Sequence, residues 1–418
     1  MAFAESSKPE DAAFVNADRS YAISLDSADP LARFRDEFFV ASDDLVYLNG
    51  NSLGRLPLRT SLALAEFVTY EWGTRLSAGW ESWVDVAERT GDVIASCLVG
   101  ARAGEVIVSD STSVNLYKLA SAALDARPGR SIIVTDTDNF PSDRYVLEGL
   151  AAARGLSVRW LKPDPIEGPS ESDLEAALAD DVALVSLSHV NYRNGAVADM
   201  AAITQLTHDH NALMLWDLCH SVGAVPIDLS GCEVDLAVGC TYKYLNAGPG
   251  APAFLYVRRE LQEELAQPIW GWFGQTDQFG FGPRYHPAKG IARFLVGTPP
   301  LIALKGVEEG VAIVAEAGIE KIHAKSTALT EYAIALFDEW LAPLGVRLGS
   351  PRDAGARGSH VSLLHDDAPH LCESLIKQGV VPDFRPPNII RFGASPLYTR
   401  FTDIWEGMDR LRAAVCLD

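Results

Sequence analysis

The sequence predicts an α/β protein, with a large domain built on a mostly parallel sheet covered by helices and a smaller C-terminal α+β domain. Three observations carry this. Between residues 105 and 257 short β-branched runs alternate with helical patterns, after Thr298-Pro-Pro300 the pattern changes to long helical periodicity, and two of the apolar runs lead into an acid, Asp217, and a lysine, Lys243. Strands that alternate with helices join through crossovers, and the helices then cover both faces of the sheet.

The predicted strands are Val106-Ile-Val, Ser131-Ile-Ile-Val-Thr, Val158-Arg-Trp-Leu, Val182-Ala-Leu-Val-Ser-Leu, Leu213-Met-Leu-Trp, Leu236-Ala-Val and Ala253-Phe-Leu-Tyr-Val. Between them lie helical stretches such as residues 144–154, with Val146, Leu147, Leu150 and Ala151 on one face. Past Pro300, Leu301, Leu304, Val307, Val311 and Val314 mark one helix, and Leu329, Tyr332, Leu336 and Trp340 a second. Short strands at 360–364 and 388–392 and a last helix at 402–414 complete the reading. The expected limits are a large domain at 51–300, a small domain at 301–418 hinged at the Pro-Pro pair, and an N-terminal segment, 1–50, packing with the small domain.

Composition narrows the function. A net charge of −21 gives the chain no general attraction for nucleic acid or anionic membranes. The six cysteines form no CxxC pair and are too sparse for a disulfide framework, which suits a reducing compartment. Met1-Ala-Phe-Ala-Glu-Ser-Ser-Lys-Pro-Glu-Asp has acids where a signal peptide has a basic region, and no apolar run approaches the roughly 18 residues of a membrane span. The expectation is a cytoplasmic protein.

The chemistry gathers where strands end. Asp217 and Lys243 stand 26 residues apart, an interval that suits a strand, a crossover and the next strand delivering both to one sheet edge. An amine and a carboxylate so placed suit pyridoxal phosphate, whose aldehyde needs an amine and whose ring nitrogen needs an anion. An ordinary strand-end Asp and a solvated Lys account for the two residues equally well.

Asp110-Ser-Thr-Ser113 stands where a strand meets a helix, and helix N-termini bind phosphate, so Thr112 and Ser113 are candidates for that role. N-capping explains one of the hydroxyls without any ligand. In Asp138-Asn-Phe140-Pro-Ser-Asp143, Phe140 suits stacking on a flat ring, while Asp143 either hydrogen-bonds such a ring or, by default, caps the helix. Ser188-His-Val-Asn-Tyr-Arg-Asn-Gly195 adds polar groups at the same edge. No metal site is expected, because His208 and His210 fall on different faces of a helix. Asn49-Gly-Asn-Ser-Leu-Gly54 lacks the GxGxxG spacing, and no GxxxxGK[ST] run is present.

Taken together these segments resemble the kynureninase family, pyridoxal-phosphate hydrolases of the aspartate-aminotransferase fold (fold type I). The resemblance lies in Tyr47-Leu-Asn-Gly-Asn-Ser-Leu-Gly54, Ser113-Val-Asn-Leu, Phe140-Pro-Ser-Asp143, Trp216-Asp-Leu-Cys-His-Ser-Val-Gly223, Thr241-Tyr-Lys-Tyr-Leu-Asn-Ala-Gly-Pro-Gly250, Gly271-Trp-Phe-Gly274 and Ile390-Arg-Phe-Gly-Ala-Ser-Pro-Leu-Tyr398. It implies the cofactor pyridoxal 5′-phosphate, with Lys243 as covalent tether and base and Asp217 at the ring nitrogen. His220 would lie beside that carboxylate, Phe140 on the ring, and Asp143 and Ser188 would place it. Thr112, Ser113 and Tyr242, with Trp272 of a neighbouring subunit, would hold the phosphate, and Tyr242 would relay protons.

Thr298 joins the cofactor contacts, Arg391 would take the substrate α-carboxylate, and Asn51, Ser52 and Trp80 would border the substrate. The implied reaction cleaves the Cβ–Cγ bond of L-kynurenine to anthranilate and L-alanine in a homodimer with its site at the subunit interface. Gly297-Thr298 and Trp80 depart from the animal members, which have Ser-Asn and a His there, so the ring pocket is expected to favour kynurenine over 3-hydroxykynurenine. The rival readings are a preference for the 3-hydroxy or another ring-substituted kynurenine, a transaminase or desulfurase of the same fold, and a binding protein without catalysis.

Overall fold

The computed structural model describes residues 16–417, so the reading of Met1 to Asp11 lies outside the described residues. A seven-stranded sheet forms the centre, built from β1 (Val106–Val108), β2 (Ile132–Asp136), β3 (Ser157–Leu161), β4 (Val182–Ser188), β5 (Leu213–Asp217), β6 (Leu236–Gly239) and β7 (Phe254–Val257). Every predicted run is a strand here. The central runs are apolar on both faces, as burial on both sides of a sheet requires, and β5 is buried along its whole length, whereas the edge strand β3 is only partly buried.

Across the sheet the order is β1-β7-β6-β5-β4-β2-β3. β7 alone runs antiparallel to its neighbours. The chain steps outward from β2 to β3 and inward from β4 to β6, and right-handed crossovers in opposite directions set their helices on opposite faces. The order reverses beside β2 and β4. In such sheets the crevice at the reversal, outside the carboxyl ends of the strands, is where ligands bind.

A second, four-stranded sheet holds β8 (Arg347–Leu348), β9 (His360–Leu364), β10 (Asp383–Arg385) and β11 (Ile389–Gly393) in the antiparallel order β10-β11-β9-β8. The last helix, Phe401–Val415, packs over the core of this unit. Two hydrophobic cores result. The first includes Leu304, Val307, Val311 and Val314 of helix Leu301–Ala317 and reaches Ile322, while the second takes up the chain from Leu329. The seam between the cores therefore lies beyond the Pro299-Pro300 pair at which the sequence reading placed a hinge. The physical reason is that this helix is apolar enough to bury a broad face against the large domain, so the prolines mark only its start. The N-terminal segment is shared, with Leu31, Phe34 and Phe38 in the first core and Ala22, Val46 and Leu48 in the second.

The loop that follows β6 and carries Lys243 is clamped from two sides by glycines. Gly54 donates its N–H to the Tyr242 carbonyl at 2.8 Å. A Cβ at Gly54 would strike the Lys243 carbonyl oxygen and the Asn246 side chain, and one at Gly310, in helix Leu301–Ala317, would strike the Leu245 carbonyl oxygen. Gly310→Val should accordingly lower stability by at least the 1–3 kcal/mol typical of overpacking. The urea midpoint measures this, and an unchanged midpoint would mean the helix moves away freely.

Candidate active site

The ends of β1, β2, β4, β5 and β6 each contribute one piece of a single cavity. β1 leads through Asp110, at φ +48°, into helix Thr112–Asp125, so that Ser111, Thr112 and Ser113 line the wall at the helix N-terminus. Ser111 is the cap, its Oγ accepting the Val114 N–H at 3.4 Å, which leaves Thr112 and Ser113 free of the capping role. Asp110 owes its left-handed turn to a partner the sequence did not reveal. Lys118, one face further along the helix and fully buried, donates to Asp110 Oδ2 at 2.6 Å and to the Phe294 carbonyl at 2.8 Å.

After β2 the chain passes Phe140 into helix Pro141–Arg154. Phe140 is itself the N-cap residue, with Pro141 at the first helical position, and no side chain caps this end. The default capping role for Asp143 is thereby corrected. Its side chain is buried and lines the cavity together with Asp217, with Oδ2 left without a protein partner. Burial, and next the charge of Asp217, hold the Asp143 carboxyl well above the usual carboxylate range. Tyr192 stands edge-on to Phe140, with ring centroids 5.2 Å apart, and fixes that ring. Ser188, at the end of β4, donates to Asn139 Oδ1 at 2.8 Å.

Asp217 closes β5 and accepts the Cys219 N–H at 2.7 Å. Lys243 arrives on its clamped loop, with Nζ 5.8 Å from the centre of the Phe140 ring and 5.9 Å from that of Tyr242. Cys240 and burial push the Tyr242 phenol up, so it stays a proton donor. His220 also lines the wall. Burial first, then the positive charges of Lys243 and Arg391, hold its imidazole neutral, and its Nδ1 is buried without a partner.

This donor set fits a flat phosphorylated pyridine. An amine stands ready for an aldehyde, an acid pair for a ring nitrogen and a polar substituent, an aromatic face for the ring, and a helix N-terminus with three hydroxyls for the phosphate. Among the described residues, no group of three or more His, Cys, Asp or Glu is arranged to hold a metal ion.

The comparisons agree with this geometry. A kynureninase from Pseudomonas fluorescens is 43% identical over 401 residues, covering 94% of each chain, and one from Burkholderia pseudomallei (strain K96243) is 42% identical over 402 residues with the same coverage. The chain belongs to the kynureninase family. A model of the kynureninase C-terminal domain matches residues 322–411. Among solved structures, the apo cysteine desulfurase of Thermococcus onnurineus NA1 superposes with a TM-score of 0.78 at 19% identity, covering 95% of this chain and 98% of that one. A C-DES mutant with glycine covalently linked to its PLP cofactor reaches 0.79, also at 19%, covering 91% and 98%. At that identity the likeness establishes the fold, which is that of fold type I enzymes.

Nine of the sequence candidates meet in the cavity: Thr112, Ser113, Phe140, Asp143, Ser188, Asp217, His220, Tyr242 and Lys243. The others stand elsewhere. Arg391 is fully buried behind the wall, its guanidinium held by Asp383 and the Tyr192 carbonyl. Trp80 and Trp272 pack with each other at 6.3 Å and with Phe273 in an aromatic cluster outside this chain's own cavity, and Thr298 is exposed. Asn51 is buried against Gly393, and Ser52 follows it in a turn closed by its N–H on the Asn49 carbonyl. The sequence reading passed over Ser111, Ser142, Tyr192 and Cys219, which also line the cavity. Each lies inside a segment it had singled out, but which members of a loop face inward is set by the turn.

Asp136, at the end of β2, is a further buried carboxyl, pushed up to about 6 by burial against opposing backbone hydrogen bonds from Asp138 and Asn139. An acid raised in the fold binds its proton more tightly folded than unfolded. Stability should therefore fall as pH rises from the usual carboxylate pKa near 4 to about 6, then level off. Asp136→Asn should remove that fall, gaining on the order of 2 kcal/mol over wild type at pH 8 compared with pH 4. Urea unfolding of both proteins across this window is the check, and parallel pH profiles would count against a buried protonated Asp136.

Proposed function

We propose that this chain cleaves the Cβ–Cγ bond of L-kynurenine hydrolytically, releasing anthranilate and L-alanine, with pyridoxal 5′-phosphate held in the cavity. The observation that carries the reading is the meeting of Lys243, Asp217, Asp143 and Phe140 with the Ser111 to Ser113 helix N-terminus in one cavity. Family membership at 43% identity over nearly the full chain supports the substrate. When bound, pyridoxal phosphate supplies an aldehyde for covalent attachment and a protonated ring that draws electrons from the substrate.

The side chains divide the work. Asp217 would keep the proton on the ring nitrogen, and Asp143, its carboxyl held above the usual range by burial and by Asp217, would face a neighbouring polar group of the ring. Phe140 covers one ring face, Ser188 works through Asn139, and Ser111, Thr112 and Ser113 receive the phosphate. Lys243 would take the α proton of bound substrate and return it. Tyr242 is the phenol positioned to donate in later steps. Arg391 takes the substrate α-carboxylate, a reading supported by its fixed planar fork and by an Nε that has no protein partner.

The site is completed by a second copy of the chain. Trp272, Thr298 and Trp80 lie outside this chain's own cavity, while Trp270, Phe279 and Phe281 of the same segment are exposed. An apolar rim of this kind is expected where a second subunit packs. No helix among the described residues is long and apolar enough to cross a membrane, and the free thiols suit the reducing cytoplasm. Cysteine desulfurases share the fold but need a mobile nucleophilic thiol, and Cys372 is buried in helix Ala368–Lys377.

Product analysis with kynurenine and 3-hydroxykynurenine side by side tests the reading. Wild type should release alanine and the aromatic acid, with kynurenine at least as good a substrate, whereas Lys243→Ala should release neither and lose the cofactor's visible band. A keto acid in place of alanine would mean transamination instead.

Arg391→Ala should weaken both kynurenine and simple amino-acid inhibitors by about 2–5 kcal/mol, the range for breaking a buried charge pair. Unchanged inhibition constants would place the carboxylate elsewhere.

A further inference from the structure

Behind His220 lies a second histidine that no part of the reaction so far employs. His360 opens β9 and is fully buried, and neither of its ring nitrogens has a hydrogen-bond partner. Its ring centroid is 5.7 Å from that of His220, whose Nδ1 is likewise buried and unpartnered while its ring lines the cavity. Three imidazole nitrogens in these two adjacent rings are thus buried with nothing from the protein to bond.

Leaving such atoms unsatisfied costs about 1–3 kcal/mol each, so a buried site of this kind is where an ordered water binds. Two hydrogen bonds of about 2.9 Å would link one water to a nitrogen of each ring. The surroundings favour this arrangement over a charged histidine. In β11, Gly393 stands opposite His360, and Arg391, two residues earlier on the same sheet face, adds its positive charge. Arg391 and Lys243 together with burial hold both imidazoles neutral, able to accept as well as donate. Gly195, at φ +78°, makes room for the His360 ring, which a Cβ there would approach to 3.3 Å.

We propose that His360 is a positioning residue for the hydrolysis, holding with His220 the water that attacks the substrate's γ-carbonyl carbon. This rests on the hydrolytic reading above. In that step the water oxygen bonds to the carbonyl carbon and one of its protons passes to the carbonyl oxygen, with neutral His220 as the hydrogen-bonded relay, which gives the hydrate. When the carbon–carbon bond breaks, the β carbon keeps the bonding pair and is protonated to the methyl group of alanine, and the carbonyl carbon leaves as the carboxyl of the aromatic acid. No oxidant or reductant is needed. His220 is the catalytic member at the cavity wall, and His360 acts only through it.

The test separates the water-dependent step from those before it. Exchange of the substrate α proton with deuterated solvent needs Lys243 but no attacking water, whereas cleavage needs both. His360→Leu, compared with wild type as holoenzyme, should lower kcat for cleavage at least about tenfold, the lower side of what proton-transfer groups contribute. KM and the rate of α-proton exchange should stay within about twofold, well under one power of ten in free-energy terms. His360→Gln keeps a donor and an acceptor at the site and should recover most of the cleavage rate.

Any of three results overturns the proposal: unchanged kcat in His360→Leu, an equal fall in exchange and cleavage, or a glutamine variant as impaired as the leucine one. His360→Asn is made in parallel, so that a leucine chain unable to take up cofactor still leaves a measurement. For it, wild-type exchange with slowed cleavage supports the proposal, and equal loss of both overturns it. A wild-type protein that exchanges the proton but never cleaves kynurenine would count against the hydrolytic function itself, a separate outcome.

Discussion

Two carboxylates and an ammonium buried within one cavity are the constraint around which the rest of the molecule is arranged. Asp143, Asp217 and Lys243 line one cavity at the edge of the sheet, where the charge of Lys243 opposes the effect of Asp217 on Asp143. Groups of this kind are costly to bury unless they are paired and held. Asp217 is fixed by the Cys219 N–H, and Lys243 by a loop pressed between Gly54 and Gly310. Asp143 is fixed by a helix whose start is set by Pro141 rather than by its own side chain.

The strand order explains why these groups meet. Because the path reverses beside β2 and β4, the segments after β1, β2, β4, β5 and β6 all open on one edge, and each brings a single chemical element. One segment brings a helix N-terminus with hydroxyls, another the aromatic face of Phe140, and the acid and amine arrive from neighbouring strands. The Lys118 ammonium, wholly buried beneath Asp110, keeps the first of these segments in its left-handed turn.

The small unit contributes a polar layer rather than apolar filling. Asp383, Arg391 and His360 stand on one face of its sheet, turned toward Tyr192, Gly195 and His220 of the large domain. Residues 49–54 stitch the two units together, since Gly50 donates to the Gly393 carbonyl at 3.0 Å while Gly54 binds the Tyr242 carbonyl.

Strands, helices and the meeting of Asp217 with Lys243 at one sheet edge were legible in the sequence because their signals are local. An apolar run of β-branched residues between turns is a strand wherever it lies, and Asp217 and Lys243 are named by the runs they terminate. What the sequence by itself left open depends on packing between distant segments. Asp143 reads as a cap from its own neighbours and becomes a cavity acid only because Asp217 is folded against it. Lys118 has no visible partner until Asp110 and Phe294 converge on it, and His360 looks like any strand residue until β11 and His220 surround it. Arg391, identifiable by type, takes its present geometry from Asp383 across the sheet. Local periodicity determined the elements and the chemistry they carry, whereas the burial and pairing of charge, which arise only between elements, were decided by the tertiary structure.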